Sequence, residues 1–362
     1  MRILILGGTG AMGVSLVQIL AQNPLNEIYV TSRSTRTSTG NVNYIKGNAH
    51  DISFVKMLLD KRDYDAIVDF MVYSPKEFAD RAKIFLLATK QYVFLSSSRV
   101  YADAGQKRIK EGNSRLLDVC RDEVYLATNE YALAKAREEN ILFDGNYKNW
   151  TIIRPYITYN DNRLQLGVFE KENWLYRALN HQIIVFSKDI AEKYTTLTYG
   201  YDVAKVIVEL IGNEKALGQA FHIATEQSIK WGDILDLYLD VLEEELHYRP
   251  RVFMLEDSKK MAVECSCQYQ VSCDRLYNRM FSNEKIEQVV GHKIDYIDVR
   301  VGLTKCLKNY IRTNSAEAYK AVGPRMSAYF DRLTGEHTNL KCFKTTKRKM
   351  AYLLLRYIPI RL

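Results

Sequence analysis

An apolar run of strand length at the start of the chain breaks directly into a cluster of glycines. Residues 2–6 read Arg-Ile-Leu-Ile-Leu, Gly7, Gly10 and Gly13 follow at G-x-x-G-x-x-G spacing, and helix-forming residues occupy 14–21. Glycines let a backbone approach a ligand closely, and the free N–H groups of a helix N-terminus stabilise negative charge. The flanking strand and helix favour a phosphate-binding turn over an ordinary glycine turn. The expected contacts are Gly7, Thr9, Gly10, Ala11, Met12 and Gly13.

Strand-like and helix-like patterns alternate through the first half of the chain. Alternation of this kind predicts an α/β fold, a Rossmann-type doubly wound parallel sheet with helices on both faces. With a glycine turn after the first strand, such a sheet binds a dinucleotide at the carboxyl ends of its strands. Further strands are predicted at 27–31, 42–45, 66–72, 91–95 and 150–153, and helices at 54–61, 76–90 and 129–142.

The alternation becomes irregular after residue 158. Residues 1–158 are therefore predicted to form the dinucleotide-binding domain. Residues 195–224 return to it as the strands 195–199 and 220–224 with a helix at 203–211. Residues 159–330 are left to build a smaller, mixed substrate-binding domain, and residues 331–362 form a basic tail.

The net charge of +8 comes almost entirely from the end of the chain. Residues 341–362 carry seven basic residues and no acidic one, which leaves 44 basic against 43 acidic residues in the remainder. A near-neutral body does not indicate a nucleic-acid-binding protein. Six cysteines in a chain with no secretory signal are expected to be thiols, which predicts a cytoplasmic protein. The cysteine spacing completes no tetrahedral set, so no metal site is expected.

The tail joins a basic cluster at 347–349 to apolar residues at 353–355, 357 and 358. One interpretation is peripheral attachment to anionic lipid, at the inner face of the membrane, with basic residues meeting head groups and apolar residues entering the interface. The other is a terminal helix that docks on the protein's own body. The sequence favours neither.

Tyr131 and Lys135 lie four residues apart on a predicted helix and therefore share one face. A nearby ammonium favours the phenolate form of a tyrosine, which would allow Tyr131 to act as a general acid or base. Upstream, the strand at 91–95 runs into Ser96, Ser97 and Ser98. Hydroxyls at the carboxyl end of a parallel strand can bind a substrate oxygen. Turn or cap serines are the alternative for these positions.

The glycine turn, Ser96-Ser-Ser-Arg-Val-Tyr101, Tyr131-x-x-x-Lys135 and Arg154-Pro-Tyr-Ile-Thr-Tyr159 follow in the order found in one family. In these motifs the chain resembles the extended short-chain dehydrogenase/reductases over residues 1 to about 235. The resemblance implies that Tyr131 is the catalytic acid/base and that Lys135 holds the nicotinamide ribose. It assigns the catalytic hydroxyl to Ser97, with Ser98 as second choice and a substrate contact, and places Pro155 beside the cofactor.

The resemblance implies an NAD(P)-dependent oxidoreductase that transfers hydride at a sugar carbon of a nucleotide-activated sugar, as a reductase or a C4-type epimerase. Ser98-Arg99 replaces the Asp-Glu pair of the family's dehydratases, which disfavours water elimination. The residues Phe70–Tyr73 and Asn160 also depart from the family pattern and indicate an atypical branch. The alternative function is a non-catalytic NADP-binding regulatory or RNA-binding scaffold. A homodimer is expected from the relatives alone.

The end of the second strand indicates which dinucleotide binds. NAD sites commonly place an acid there to hold the ribose hydroxyls, whereas this chain has Ser32 and Arg33. An arginine pairs well with a 2′-phosphate, so we expect NADP(H), with NAD(H) as the alternative. Asn48 and Asp51 resemble the family's adenine-edge turn.

Substrate contacts are harder to place. Arg163 and Gln165 follow the Arg-Pro strand and are candidate substrate contacts, although a surface loop or a salt bridge is the favoured interpretation for them. Asp274, Arg275 and Arg279 could grip a phosphate or carboxylate, although a surface loop or a salt bridge is the favoured interpretation. His222 lies in a predicted strand and is expected to be a hydrogen-bonded core histidine.

Overall fold

A computed structural model describes residues 1–314 and 323–358. The chain folds into two compact units. The first unit contains residues 1–158, 196–226 and 280–297, and the second contains 159–195, 227–279 and 298–362. This division differs from the expected one at 280–297, which belong to the first unit, and at the tail, which belongs to the second.

The strands of the described residues are β1 (Arg2–Leu6), β2 (Glu27–Ser32), β3 (Val42–Lys46), β4 (Tyr64–Asp69), β5 (Thr89–Leu95), β6 (Trp150–Pro155), β7 (Ile157–Tyr159), β8 (Ile184–Ser187), β9 (Tyr194–Thr195), β10 (Leu197–Tyr199), β11 (Gln219–Ile223), β12 (Ile229–Lys230) and β13 (Val252–Leu255). The helices are α1 (Ala11–Ala21), α2 (Ile52–Asp60), α3 (Pro75–Leu87), α4 (Leu116–Val119), α5 (Glu123–Leu126), α6 (Tyr131–Phe143), α7 (Lys171–Leu179), α8 (Lys188–Ala191), α9 (Gly200–Leu210), α10 (Trp231–Leu246), α11 (Lys259–Glu264), α12 (Gln268–Gln270), α13 (Glu284–Val290), α14 (Val299–Thr313), α15 (Pro324–Thr334) and α16 (Thr346–Tyr357).

A seven-stranded sheet in the order β11-β6-β5-β4-β1-β2-β3 forms the centre of the first unit, and all its strand pairs are parallel. The doubly wound α/β prediction is confirmed. Successive residues of β1 alternate between two apolar clusters: Ile3 and Ile5 pack on the α1 and α9 side, and Leu4 and Leu6 on the α2 and α3 side. Both faces are covered, which explains why the strands read as unbroken apolar runs.

Two predicted strands end or pair differently from the expectation. The strand predicted at 66–72 ends at Asp69, because the Asp69 carboxylate accepts the backbone N–H of Met71 at 2.9 Å and turns the chain out of the sheet. Residues 195–199, predicted as one strand returning to the first domain, form two short strands instead. These residues are split between β9, which pairs with β12, and β10, which pairs with β7.

The second unit contains two short strand pairs, β13 with β8 and β12 with β9, among helices. Helix α10 packs against α14, and α15 packs against α16. Among the described residues, no helix combines the length and the apolar character needed to cross a lipid bilayer. The same residues contain no cluster of three or more His, Cys, Asp or Glu side chains suited to a metal ion.

Candidate active site and dinucleotide cavity

The glycine turn after β1 is shaped by close backbone packing. Gly7 has φ +70°, a left-handed conformation that favours glycine. A Cβ on Gly13 would lie 2.6 Å from the Cα of Gly8, and a Cβ on Gly8 would lie 2.7 Å from the side chain of Ile5. At Gly10 the nearest atom to an added Cβ is 3.8 Å away. The turn is therefore packed tightly beneath α1 and open at Gly10.

A cavity of about 470 Å³ lies beside this turn at the carboxyl ends of β1, β2, β3 and β4. The chain moves from β1 towards β3 on one side and returns through β4 on the other, so this is the switch point at which doubly wound sheets bind ligands. The cavity is lined by Gly7, Thr9, Gly10, Thr31, Ser32, Arg33, Gly47, Asn48, Ala49, His50, Phe70, Met71 and Val72.

The arrangement fits a dinucleotide. Helix α1 begins at the cavity with its N-cap at Gly10, and no side chain caps its first turn, so the positive end of the helix dipole can act on a bound phosphate. The Thr31 hydroxyl accepts the N–H of Gly7 at 3.1 Å and fixes the turn against β2. Arg33 is exposed at the wall where an adenosine ribose would lie.

Two residues expected at the adenine end have different positions. Asn48 lines the cavity and its side chain accepts the N–H of His50 at 3.2 Å. The Asp51 carboxylate accepts the N–H groups of Ser53 and Phe54 and caps α2. Asp51 therefore caps α2, while Asn48 lines the cavity.

The three serines after β5 have distinct partners. The Ser96 hydroxyl donates to Glu139 at 2.6 Å, and the fully buried Ser98 hydroxyl donates to the backbone oxygen of Arg154 at 2.7 Å. The Ser97 hydroxyl accepts the N–H of Arg99 at 3.2 Å and donates to no acceptor among the described residues. Ser97 is 6% exposed, and its proton is not committed to another group of the described protein. Ser98, predicted as a substrate contact, is committed to the backbone.

The N-terminus of α6 is held by charge. Glu130 is its N-cap, accepts the N–H of Ala132 at 2.8 Å and forms a salt bridge with Arg99 at 2.6 Å. The Arg99 guanidinium also lies 5.5 Å from the centroid of the Tyr131 ring. Tyr131, the first residue of α6, keeps 37% of its surface exposed. The Arg99–Glu130 ion pair therefore holds the start of α6 and lies against the ring of an accessible tyrosine.

Lys135 lies one turn further along α6 and is almost fully buried. Its ammonium donates to Glu138 at 2.9 Å and lies 4.6 Å from the centroid of the Phe94 ring on β5. Burial raises the pKa of Glu138 above its usual range. Nearby, burial raises the pKa of Asp69 to about 6, partly offset by the N–H of Met71. Lys135 is thus charge-compensated inside the protein.

A second buried ion pair ties α6 to the sheet. Arg154 on β6 donates to both Glu139 oxygens at 2.7 Å, a bidentate contact, and to the Tyr101 hydroxyl at 3.0 Å. Glu139 also accepts from Arg115 at 3.2 Å. Because Ser96 donates to the same carboxylate, this network links the serine segment, α6 and β6. It fixes the backbone that presents Ser97.

Two further residues considered from the sequence, Pro155 and His222, adjoin this buried network and do not line the cavity. Pro155 is buried at the end of β6, opposite Ile223. His222 is fully buried, accepts from Tyr101 through Nδ1 at 3.3 Å and donates through Nε2 to the Ser282 carbonyl at 2.6 Å. The core-histidine expectation is confirmed, and burial lowers the pKa of His222 to about 4.

The candidate substrate residues belong to the second unit. Arg163 and Gln165 both contact Glu170, and Gln165 is buried. Asp274 forms buried salt bridges with Arg275 and Arg279. The salt-bridge interpretation of these three residues is confirmed.

Several residues of the site were not found from the sequence. Gly8 makes the close contact beneath Gly13, and Phe70–Val72 line the cavity instead of continuing β4. Glu138 and Glu139 were detectable in principle, because carboxylates three and four residues after Lys135 share its helix face.

Comparison with known proteins bears on the fold and the family. A model of the NAD dependent epimerase/dehydratase family matches residues 3–224. A curated relative, the chloroplast stem-loop binding protein of 41 kDa b of Arabidopsis thaliana, is 23% identical over 84% of this chain and 77% of its own length.

Solved structures show the same fold. The Bordetella bronchiseptica enzyme WbmH, in complex with NAD⁺, is 13% identical, with a TM-score of 0.65 over 86% of this chain and 98% of its own. UDP-glucuronic acid 4-epimerase from Bacillus cereus, in complex with UDP-glucuronic acid and NAD, is 15% identical, with a TM-score of 0.63 over 86% of this chain and 99% of its own.

The fold and the glycine cradle define a Rossmann-type nucleotide-binding protein. Because the family model covers more than half of the chain, the protein belongs to the NAD dependent epimerase/dehydratase family.

Proposed function

We propose that this protein is a nicotinamide dinucleotide-dependent oxidoreductase or epimerase that acts at a hydroxyl-bearing carbon of a nucleotide-activated sugar. The supporting observation is that the free Ser97 hydroxyl follows β5 while the exposed Tyr131 phenol begins α6 beside Arg99. These two groups supply the donor and the proton-transfer group that oxidation of an alcohol requires. Similar structures that hold NAD and a nucleotide sugar agree with this substrate class.

Each residue has a definite task in this proposal. Ser97 donates its proton in a hydrogen bond to the substrate oxygen and holds it near Tyr131. Tyr131 takes the hydroxyl proton during oxidation and returns it during reduction, and the Arg99 guanidinium lies against its ring. Lys135, neutralised by Glu138, orients α6 and the ribose side of the site. A bound nicotinamide ring supplies the hydride acceptor and donor.

The dinucleotide is proposed to be NADP(H), since Arg33 lines the cavity next to Ser32 and could pair with a 2′-phosphate. NAD(H) is the alternative, supported by the NAD complexes of similar structures. Calorimetric titration of NADP⁺ and NAD⁺ into wild type and into Arg33→Ala distinguishes the two alternatives. The proposal expects tighter NADP⁺ binding that weakens about tenfold or more in the variant, with NAD⁺ binding unchanged. Tighter NAD⁺ binding by the wild type overturns it.

The chemistry is tested with Tyr131→Phe. We expect loss of turnover on a panel of uridine- and thymidine-diphosphate sugars, followed by nicotinamide absorbance and by chromatography of epimers, with dinucleotide affinity unchanged. Tyr147→Phe is the matched control, because Tyr147 has 38% exposure in the same unit. Equal turnover of wild type and Tyr131→Phe would refute the role of the phenol.

A second function is favoured by the curated relative, whose name describes stem-loop binding. In that case the chain is a dinucleotide-binding scaffold that binds a nucleic-acid stem-loop. Fluorescence anisotropy with a stem-loop RNA at two salt concentrations tests this, because phosphate contacts make affinity strongly salt-dependent. Salt-sensitive binding by wild type and Tyr131→Phe alike, without turnover by either, would favour the scaffold.

A further inference from the structure

Helix α16 carries an apolar stripe that faces solvent. Its large exposed side chains are Met350, Leu353, Leu354 and Tyr357, and Ile358 follows at its C-cap; their exposures are 57, 39, 49, 58 and 50%. The four helical residues recur at the i, i+3, i+4, i+7 spacing of one helix face and cover an arc of roughly 100°. A stripe of this width normally faces a protein core. Here it is turned outwards.

The opposite face explains why the helix keeps this orientation. Tyr352 is 2% exposed, and its hydroxyl donates to Asp331 on α15 at 2.7 Å. Phe343 packs on the Tyr352 ring with centroids 5.1 Å apart. Asp331 is bonded in turn to Arg177 at 2.8 Å. The helix is therefore docked on its own unit through Tyr352, which leaves the apolar stripe outside.

Lys344, just before the helix, and Lys347, at the stripe, are the basic residues beside the apolar side chains, whereas Arg348 lies one turn before Tyr352 on the docked side. Lys344, Lys347 and Arg348 are exposed, and no carboxylate among the described residues lies within salt-bridge distance of them. The nearby Glu336 is bonded to Arg177. The sequence from 341 to 358 contains no acidic residue. The surface thus presents unpaired positive charge beside an apolar strip.

We propose that this α16 face binds an anionic lipid surface, with α16 lying in the plane of the head groups. Lys344 and Lys347 would contact the phosphates while Leu353, Leu354 and Ile358 enter the acyl boundary. The charge complementarity and the arc of exposed apolar side chains are the two features that such interfacial helices share. The proposal is independent of the chemistry at Tyr131.

The test uses the full chain and vesicle co-sedimentation. Wild type is expected to bind vesicles of phosphatidylglycerol and phosphatidylcholine, to release them at high salt, and to bind phosphatidylcholine alone much more weakly. Leu354→Ser should weaken binding roughly tenfold, and Lys344→Ser with Lys347→Ser roughly fivefold per charge. The matched control is Val301→Ser, a change at a 59% exposed apolar residue on α14.

Two results would overturn the proposal. One is equal binding of wild type and the α16 variants, or equal binding to anionic and neutral vesicles. The other is a dimer in sedimentation velocity that Leu354→Ser dissociates, without vesicle binding by the wild type, which assigns the face to a second copy of the chain. The salt dependence of the wild type needs no variant, so a misfolded variant would not obscure the outcome.

Discussion

The buried carboxyl of Asp69 makes the stability of the first unit depend on pH in an unusual direction. Burial raises the pKa of Asp69 to about 6, from an ordinary value of 3.8. The folded state therefore holds a proton that the unfolded chain releases. The contribution of this protonation to the free energy of unfolding is greatest below the pKa of Asp69 in the unfolded chain. It is lost as the pH rises through about 6. A shift of about two units corresponds to about 3 kcal/mol.

Asp69→Asn removes this titration while keeping an oxygen that can accept the N–H of Met71 at the end of β4. The Tyr92 hydroxyl, which donates to Asp69 at 2.8 Å, can accept from the new amide instead. We expect the unfolding free energy of the variant, relative to wild type, to rise by about 2 to 3 kcal/mol between about pH 4 and about pH 7.

Urea unfolding followed by tryptophan fluorescence at several pH values measures this difference, since Trp150 lies in the same apolar cluster as Tyr92. Asp65→Asn is the control on the same strand. Lys90 lowers the pKa of Asp65, so its variant should lose stability relative to wild type as the pH rises. A variant-minus-wild-type difference for Asp69→Asn that stays constant within about 0.5 kcal/mol would refute the buried-charge reasoning.

Two further predictions concern the same unit. His222→Gln should lose less stability than wild type between about pH 6.5 and about pH 4 in the same urea assay. The His222 pKa is lowered to about 4, so the unfolded state alone gains a proton there, which costs the wild type about 3 kcal/mol; parallel curves would contradict this. Gly13→Ala should destabilise by about 1–3 kcal/mol, because the new methyl meets Gly8. Gly10→Ala should change the stability measured in thermal melts by no more than about 1 kcal/mol. It should nevertheless weaken dinucleotide binding in calorimetry. Equal melting temperatures of the Gly13→Ala and Gly10→Ala variants would contradict the tight packing at Gly13.

The main sheet was predictable because its strands are buried on both faces and read as apolar runs between helical patterns. Residues 91–95 and 150–153 fall inside β5 and β6 for this reason. The end of β4 was missed because the apolar Phe70–Val72 continue the strand pattern. A hydrogen bond from the Met71 N–H to Asp69 decides the turn, and composition does not reveal it.

The cavity was predictable from the glycine turn. The hydrogen-bond and ion-pair partners of the predicted catalytic residues were not. The periodicity of a helix places Glu138 and Lys135 on one face, but it does not show whether that face is exposed to solvent or buried. The structure buries both, so Lys135 is compensated by Glu138. The resemblance selects Ser97 among the three serines, but the sequence does not show their acceptors: Ser96 and Ser98 donate within the protein, and Ser97 has no acceptor among the described residues.

Helix α13 has a consequence for attempts to divide the chain. It belongs to the last of the first unit's three segments, far along the sequence from β11, yet Ile286 is fully buried in that unit's core. The Lys285 ammonium also donates to the Ala220 carbonyl at 2.9 Å, on the edge strand β11. A fragment cut after residue 226 would therefore lose a buried isoleucine and uncover a strand edge, which invites aggregation. Separating the nucleotide-binding half calls for a short linker in place of residues 227–279, not a stop codon.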